Sequence, residues 1–321
     1  MRHPQAAERL AMCHDMLPQI LEALGHPTTT PHVTRHEHGW VNVCFEVDET
    51  IIVRINARDP SLRKFEREAW VYQDIAARAR LPLPKLLMHD AHTWPYPVLV
   101  TTKLPGHNLA ERWSTLAESQ RGELARRAGS LLARLHTTRD LGPRGHGELF
   151  DSKEKRGTMS DAIQRRLASH VEEAITHEAL EEGLARRLEA ACHTILQRGE
   201  ADTRAVITHR DFHFGNLLHD GDTITGLLDF EWSMAADRLE DLVKWRRIAH
   251  LYDGANAPFL SGYASESGGE AVVDQGGLGA VYEAMEAIEL AVVARRFYTA
   301  EEAGRYAERA RGCLETLQRM E

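Results

Sequence analysis

Residues Ile207 to Glu231 read ITHRDFHFGNLLHDGDTITGLLDFE, and this stretch decides how the rest of the chain is understood. It opens with His209-Arg210-Asp211, sets Asn216 five residues after the aspartate, and closes on Asp229-Phe230-Glu231. In between, Leu217-Leu218-His219 and Thr223 to Leu228 flank Asp220-Gly221, a dipeptide suited to a tight hairpin turn. A hairpin there delivers Asp229 at a strand end, facing the loop that carries Asp211 and Asn216.

That order of groups is what ATP-dependent phosphoryl transfer needs. A hydroxyl is a poor nucleophile at neutral pH, and a nearby carboxylate can accept its proton as the bond to phosphorus forms. Asp211 is the candidate base. Asn216 and Asp229 offer hard oxygens, which Mg2+ prefers, and the metal neutralises charge developing on the phosphates. An isolated His-x-Asp or Asp-Phe is ordinary. The combination around a hairpin is not a chance arrangement.

Outward from this stretch, the N-terminal part is rich in strand patterns. Residues 5 to 25 carry Leu10, Cys13, Leu17, Ile20, Leu21 and Leu24 at helical spacing. Val41, Val43, Phe45 and Val47 then alternate with polar residues, and residues 50 to 55 form the returning strand. The loop before them holds a single glycine, Gly39, followed by Asn42, which still lets backbone N–H groups approach a phosphate. Arg54 sits in an otherwise apolar strand, costly unless it is paired. A helix over 60 to 79 carries Glu68, and a strand cation with a helix carboxylate matches the phosphate clamp of kinases. Strands over 85 to 89 and 97 to 103 end at Pro105-Gly106. The lobe boundary falls there: residues 1–103 are the nucleotide-binding lobe, and 104–321 are a helical lobe with the catalytic loop and acceptor site.

Beyond the boundary, helices are expected near 116–137, 160–175, 178–198, 238–250, 280–298 and 300–319, with a mobile surface loop over 138–160 and a Gly-rich loop over 265–279. The chain has 321 residues, 43% of them hydrophobic and 27% charged, enough for a substantial core. No apolar run is long enough for a membrane span. Cys13, Cys44, Cys192 and Cys313 lie far apart without metal-ligand spacing. They read as reduced thiols of a cytoplasmic protein. A net charge of -9 speaks against nucleic acid and suits cationic small partners.

The stretch His209-Arg-Asp-Phe-His-Phe-Gly-Asn216 resembles the Brenner motif of the aminoglycoside phosphotransferase and choline kinase superfamily. Asp229-Phe230-Glu231 followed by Asp237 and Asp241-Leu242 is similar to that family's second metal-ligand segment. Weaker matches are Gly39-Trp-Val-Asn42, Leu104-Pro105-Gly106 and Gly129-Ser-Leu-Leu-Ala-Arg-Leu-His136. The protein-kinase Ala-Pro-Glu segment is missing, against a protein substrate. The resemblance implies an α+β, protein-kinase-like bilobal fold, with a small antiparallel-sheet N-lobe of five strands and one main helix, and a larger helical C-lobe. It implies ATP between the lobes, the adenine held by backbone groups near Thr101, Thr102 and Lys103. It also implies Asp211 as base, Asn216 and Asp229 on Mg2+, Arg54 and Glu68 on the phosphates, and His209 bracing the loop. Two departures stand out: Arg54 replaces the kinase lysine, and Glu231 replaces the glycine of Asp-Phe-Gly.

For the acceptor, Glu231, Asp237, Glu240 and Asp241 follow closely on Asp229, and Glu148, Asp151, Glu154 and Asp161 lie at a possible rim. Glu231 and Asp237 are the candidate acceptor contacts and Asp241 the most structural of the set. This pattern suits a cationic acceptor of the aminoglycoside type, hence antibiotic resistance. A macrolide, a metabolic alcohol of the homoserine, choline or sugar-amine kind, and a non-catalytic nucleotide-binding module are the alternatives. The oligomeric state and ATP-versus-GTP preference are not legible.

Overall fold

Alternation in the N-terminal third builds a five-stranded antiparallel sheet. Its strands are β1 (Val33–His36), β2 (Val43–Val47), β3 (Ile51–Ile55), β4 (Leu86–Asp90) and β5 (Val98–Thr102), in the order β1-β2-β3-β5-β4. The computed structural model describes residues 4–27, 30–36, 42–57, 63–142, 144–152, 155–198, 204–267 and 277–320. Phe45, Val47, Val53, Ile55, Val98 and Val100 share one core with Cys13, Met16, Leu17, Ile20 and Leu21 of helix α1 (Pro4–Ala23). Each large apolar side chain buried this way contributes about 1.5–3 kcal/mol.

Side chains alternate across a strand, so Arg54, between buried Val53 and Ile55, lies on the opposite face of β3 from this core. There it meets α2 (Lys64–Asp74), which packs beside β4 and β5. The helix expected over 60–79 is broken at Ile75, with a further turn, α3 (Ala76–Ala79). Its expected start at Pro60-Ser61 lies outside the described residues. β1 has no sequence signature. It is a short edge strand with Thr34, Arg35 and His36 on it, and edges tolerate polar side chains.

The central hairpin forms as expected, β8 (Leu217–Asp220) against β9 (Thr223–Leu227). The two-residue strand β6 (His107–Asn108) adds to β8, and α4 (Leu109–Arg112) follows it. Helix α5 (Glu118–Thr137) ends this half. Gly129 on α5 is there for contact: a Cβ would meet the Phe259 carbonyl oxygen at 1.9 Å. Phe259 belongs to α9 (Asn256–Glu266), a helix the sequence reading did not anticipate.

The remaining helices are α6 (Met159–Thr176), α7 (Glu182–Arg198), α8 (Leu239–Ile248), α10 (Leu278–Phe297) and α11 (Ala300–Met320). They share one core, with Val281, Ala284, Ala287, Ile288 and Ala291 of α10 buried within it. Strands β7 (Val206–Thr208) and β10 (Met234–Ala236) pair antiparallel. The segment expected to be a mobile loop over 138–160 is instead held. Gly147 exchanges backbone hydrogen bonds with Ala235 and His146 with Gly157, while Leu141 and Leu149 are buried. Backbone pairing to a short strand replaces the apolar periodicity that would have announced it. By packing, residues 1–134, 213–233 and 254–263 form one unit and 135–212, 234–253 and 264–321 a second. Both are discontinuous in sequence, where the sequence suggests one cut after Lys103. No described helix is long and apolar enough to cross a membrane.

Candidate functional site

In the first unit, Arg54 is the hub of an ion cluster. Its Nη1 donates to both Glu68 oxygens at 2.6 and 2.7 Å, and its Nη2 lies 3.3 Å from Asp229 Oδ1 and 3.6 Å from Glu231 Oε2. β3 and α2 therefore bring together the expected strand cation and helix carboxylate, and the segment after β9 brings Asp229 to the same guanidinium. Glu68 is 0% exposed and also accepts from the Tyr72 hydroxyl at 2.6 Å. Burial pushes its carboxyl up to about 7, against the pull of Arg54. Asp229 is different: its side chain is 34% exposed, and its backbone sits in the left-handed region at φ 65°. Such a conformation in a non-glycine residue costs of order 1–3 kcal/mol and persists only where its surroundings hold it. Buried Phe230 anchors the segment, its ring edge-on to Tyr72 at 6.0 Å.

Asn216 is placed by the hairpin. The Leu228 N–H donates to the Asn216 carbonyl at 2.9 Å, so Asn216 and Asp229 lie at the same hairpin end. Its side-chain amide lies 3.3 Å from His213 Nε2, and His213 Nδ1 accepts from the Gly215 N–H at 2.9 Å. A Cβ at 215 would meet the His213 ring at 2.6 Å, so any other residue would have to displace that ring. Asn108 clamps the turn from β6, donating to the Gly215 carbonyl at 2.7 Å.

Glu231 does not turn towards an open face. It is buried, accepting from Lys64 Nζ at 3.1 Å and Asn42 Nδ2 at 3.2 Å, and Lys64 lies 4.2 Å above the Trp232 ring. Burial, then Asp229, pushes its carboxyl up, with Lys64 and Arg54 opposing. Lys64 itself is 3% exposed and was missed in the sequence. The signal was its place four residues before Glu68, which puts both on one face of α2. Asn42 Oδ1 is buried without a hydrogen-bond partner among the described residues. Gly39 lies outside them. At the end of β5, the Thr102 N–H donates to Lys85 O and the Lys103 N–H to Thr50 O, while Thr101 is buried in the ladder with Ile52. Two of the backbone donors expected to face adenine are thus already used by the sheet.

In the second unit, the chain leaves β7 into His209–Phe212. Asp241, on α8 and fully buried, accepts at Oδ2 from the His209 N–H at 2.8 Å and at Oδ1 from the Arg210 N–H at 2.6 Å. His136 Nε2 lies 2.9 Å from the same Oδ2. These bonds hold Arg210 at φ 60°. His209 is buried and takes the Asp211 N–H on its Nδ1 at 3.2 Å. The Arg210 side chain turns inward to Glu240, which Arg166 also grips with both guanidinium nitrogens. Burial opposes ionisation of Glu240, but Arg166 and Arg210 outweigh it and pull it down to about 2. Asp237 is buried and accepts at Oδ1 from the Leu239 N–H at 2.7 Å, an Asx-type turn leading into α8. Asp211 is 27% exposed, with Lys244 Nζ at 2.8 Å from its Oδ1. Lys244, the second group missed in the sequence, stands three residues after Asp241 on α8.

The phosphotransferase enzyme family matches this chain over residues 32–272. Among solved structures, aminoglycoside phosphotransferase APH(4)-Ia superposes with a TM-score of 0.69 at 15% identity, covering 96% of this chain and 99% of that one. A thermostable mutant of it, in a ternary complex with AMP-PNP and hygromycin B, gives 0.67 at 15% identity, over 94% and 98%. The streptomycin–ATP ternary complex of APH(2'')-IIa gives 0.63 at 14% identity, over 94% and 97%. No curated protein matches in sequence. At such identities the likeness establishes the kinase-like α+β fold.

Proposed function

Since the chain belongs to the phosphotransferase enzyme family, we propose that it moves the γ-phosphate of ATP, with Mg2+, onto a hydroxyl of a small molecule. The observation that carries this is the hairpin end. A half-exposed aspartate in a strained backbone, held by a clamped arginine, stands there beside Asn216. Asn216 and Asp229 fit a hard divalent cation: both offer oxygen, and Asp229 keeps part of its carboxylate open to solvent. When bound, the metal neutralises phosphate charge. Arg54, fixed by Glu68, orients the phosphates, and Asn42 has an oxygen to spare for a donor. We assign nucleotide binding to residues 1–103 and the base and acceptor to 104–321.

Asp211 accepts the hydroxyl proton. The acceptor oxygen forms its bond to the γ-phosphorus as the bond to the β–γ bridging oxygen breaks, and that electron pair leaves on ADP. Solved relatives bound to hygromycin B and streptomycin make an aminoglycoside the first acceptor to test. One observation favours a second class. Glu231, Glu240 and Asp241 have both carboxylate oxygens engaged within the protein, and Asp237 has its Oδ1 engaged. That arrangement suits a sugar or other uncharged alcohol better than an amine.

The test is ATP consumption by the purified protein across aminoglycosides, macrolides, choline, homoserine, amino sugars and neutral polyols. Aminoglycoside turnover with a KM that climbs with salt supports the first class, because exposed charge pairs are screened within about 10 Å. Salt-independent turnover of an uncharged alcohol supports the second. ATP binding without turnover on any acceptor or water would sink the proposal and leave a nucleotide-binding module.

A further inference from the structure

The base carries a cation that its own motif does not supply. Lys244 is six residues into α8 and far in sequence from His209–Asn216. Its ammonium lies 2.8 Å from Asp211 Oδ1 and donates to the Arg210 carbonyl at 2.7 Å. Asp241, one helical turn earlier on the same face, accepts the N–H groups of His209 and Arg210. The two side chains therefore grip the peptide groups on both sides of Arg210, the residue held at φ 60°. A strained residue keeps its conformation only when several contacts agree on it. Here Asp241 fixes the donors, Lys244 fixes the acceptor, and the chain emerges at Asp211 with one carboxylate oxygen already taken.

We infer that Lys244 is a positioning residue for the general base. It holds Asp211 by Oδ1 and so sets the orientation of the carboxylate that receives the acceptor proton. This rests on the phosphotransfer reading above. An N+–H···O− bond of this length is of the strong, charge-assisted kind, and it removes the rotational freedom an aspartate would otherwise have at a loop end. Preorganising the base lowers the barrier only if the bound geometry is already close to attack. Lys244 is 24% exposed, so it is neither a free surface lysine nor a core one. Burial works against its charge, but Asp211 and Glu289 outweigh it and the ammonium is held above its ordinary range. It is therefore protonated at neutral pH.

The experiment is a double-mutant cycle on the full chain, with MgATP and water as the acceptor, reading phosphate release. Lys244→Met should lower kcat by about 10- to 100-fold, the worth of a hydrogen bond to a charged group, with the KM for ATP unchanged. Lys244→Arg should restore most of the rate. In an Asp211→Ala background, Lys244→Met should cost nothing further, because it acts through the missing carboxylate. If Lys244→Met does not fold, Lys244→Gln takes its place in the cycle. Wild-type kcat in the lysine variant, additive losses, or a loss expressed in the KM for ATP overturns the inference. If Asp211→Ala is as active as wild type, the assignment of the base falls, and Lys244 with it. A dead Asp211→Ala beside a normal Lys244→Met removes only Lys244.

Discussion

Asp211 and Asp229 differ from Glu240 and Asp241 in how completely the fold uses them. The first pair are 27% and 34% exposed, each with a cation at Oδ1. Asp241 is fully buried and the Glu240 side chain only 11% exposed, and both have both oxygens engaged: Asp241 by two backbone N–H groups and His136, Glu240 by Arg166 and Arg210. All four are acids within a stretch of 31 residues, Asp211 to Asp241, and residue type does not separate them. A fully satisfied carboxylate holds the chain in place. A carboxylate that keeps a quarter to a third of its side chain exposed, set on or next to a left-handed residue, can still be reached by a ligand.

The sharpest way to break this comparison is at the base. Asp211→Ala should lower kcat by about 10²–10⁴-fold, while nucleotide affinity, measured by titration, stays unchanged. Activity near wild type would remove Asp211 from the chemistry. Asp229→Ala and Asn216→Ala should each lose about 10²–10³-fold in turnover and demand more Mg2+. Asp229→Ala should be the worse, because a full charge leaves the metal. A rate insensitive to chelator would dismiss both assignments.

The fully bonded pair should answer in stability rather than rate constants. Glu240→Ala leaves two guanidinium groups without their partner, which typically costs about 3–5 kcal/mol, measured by urea unfolding. A loss of under about 1 kcal/mol, the range of exposed pairs, would mean that Arg166 and Arg210 find other partners. pH sharpens the point. The folded Glu240 carboxyl is depressed from 4.5 to about 2. Its stabilisation is therefore fully present above pH 4.5 and lost as pH falls towards 2. The wild type should lose stability across that window more steeply than Glu240→Gln, and superimposable acid limbs would contradict the pairing.

The smallest effect is expected at the clamp. Arg54→Ala should raise the KM for ATP by about tenfold, with Glu68→Gln milder, because Arg54 also has Asp229 and Glu231 to hold it. An unchanged KM in both would make the Arg54–Glu68 pair purely structural.

The fold was legible where periodicity is strong. The alternation of Phe45 and Val47 and of Val53 and Ile55, and the apolar face of α1, predicted elements that are present and packed together. β1, β6 and β10 were not legible, because strands of two to four residues that exist by pairing leave no period to read. The same holds for the described residues between 138 and 158, which look like loop and are held by backbone bonds from Gly147 to Ala235 and by the His146–Gly157 pair.

By itself, the sequence determined which groups exist and their local order: Asp211, Asn216 and Asp229 around a hairpin, and Arg54 before Glu68. A motif is a local object, fixed by spacing along the chain, so its chemistry survives without coordinates. Only the tertiary structure decided which acids are already used. Glu231 meets Lys64 and Asn42 from more than 160 positions away, and Asp241 meets His136 across 105. It likewise decided that Lys244 on α8 reaches Asp211. Whether a charge is free or compensated depends on neighbours within a few ångströms in space, and no spacing in the sequence carries that information.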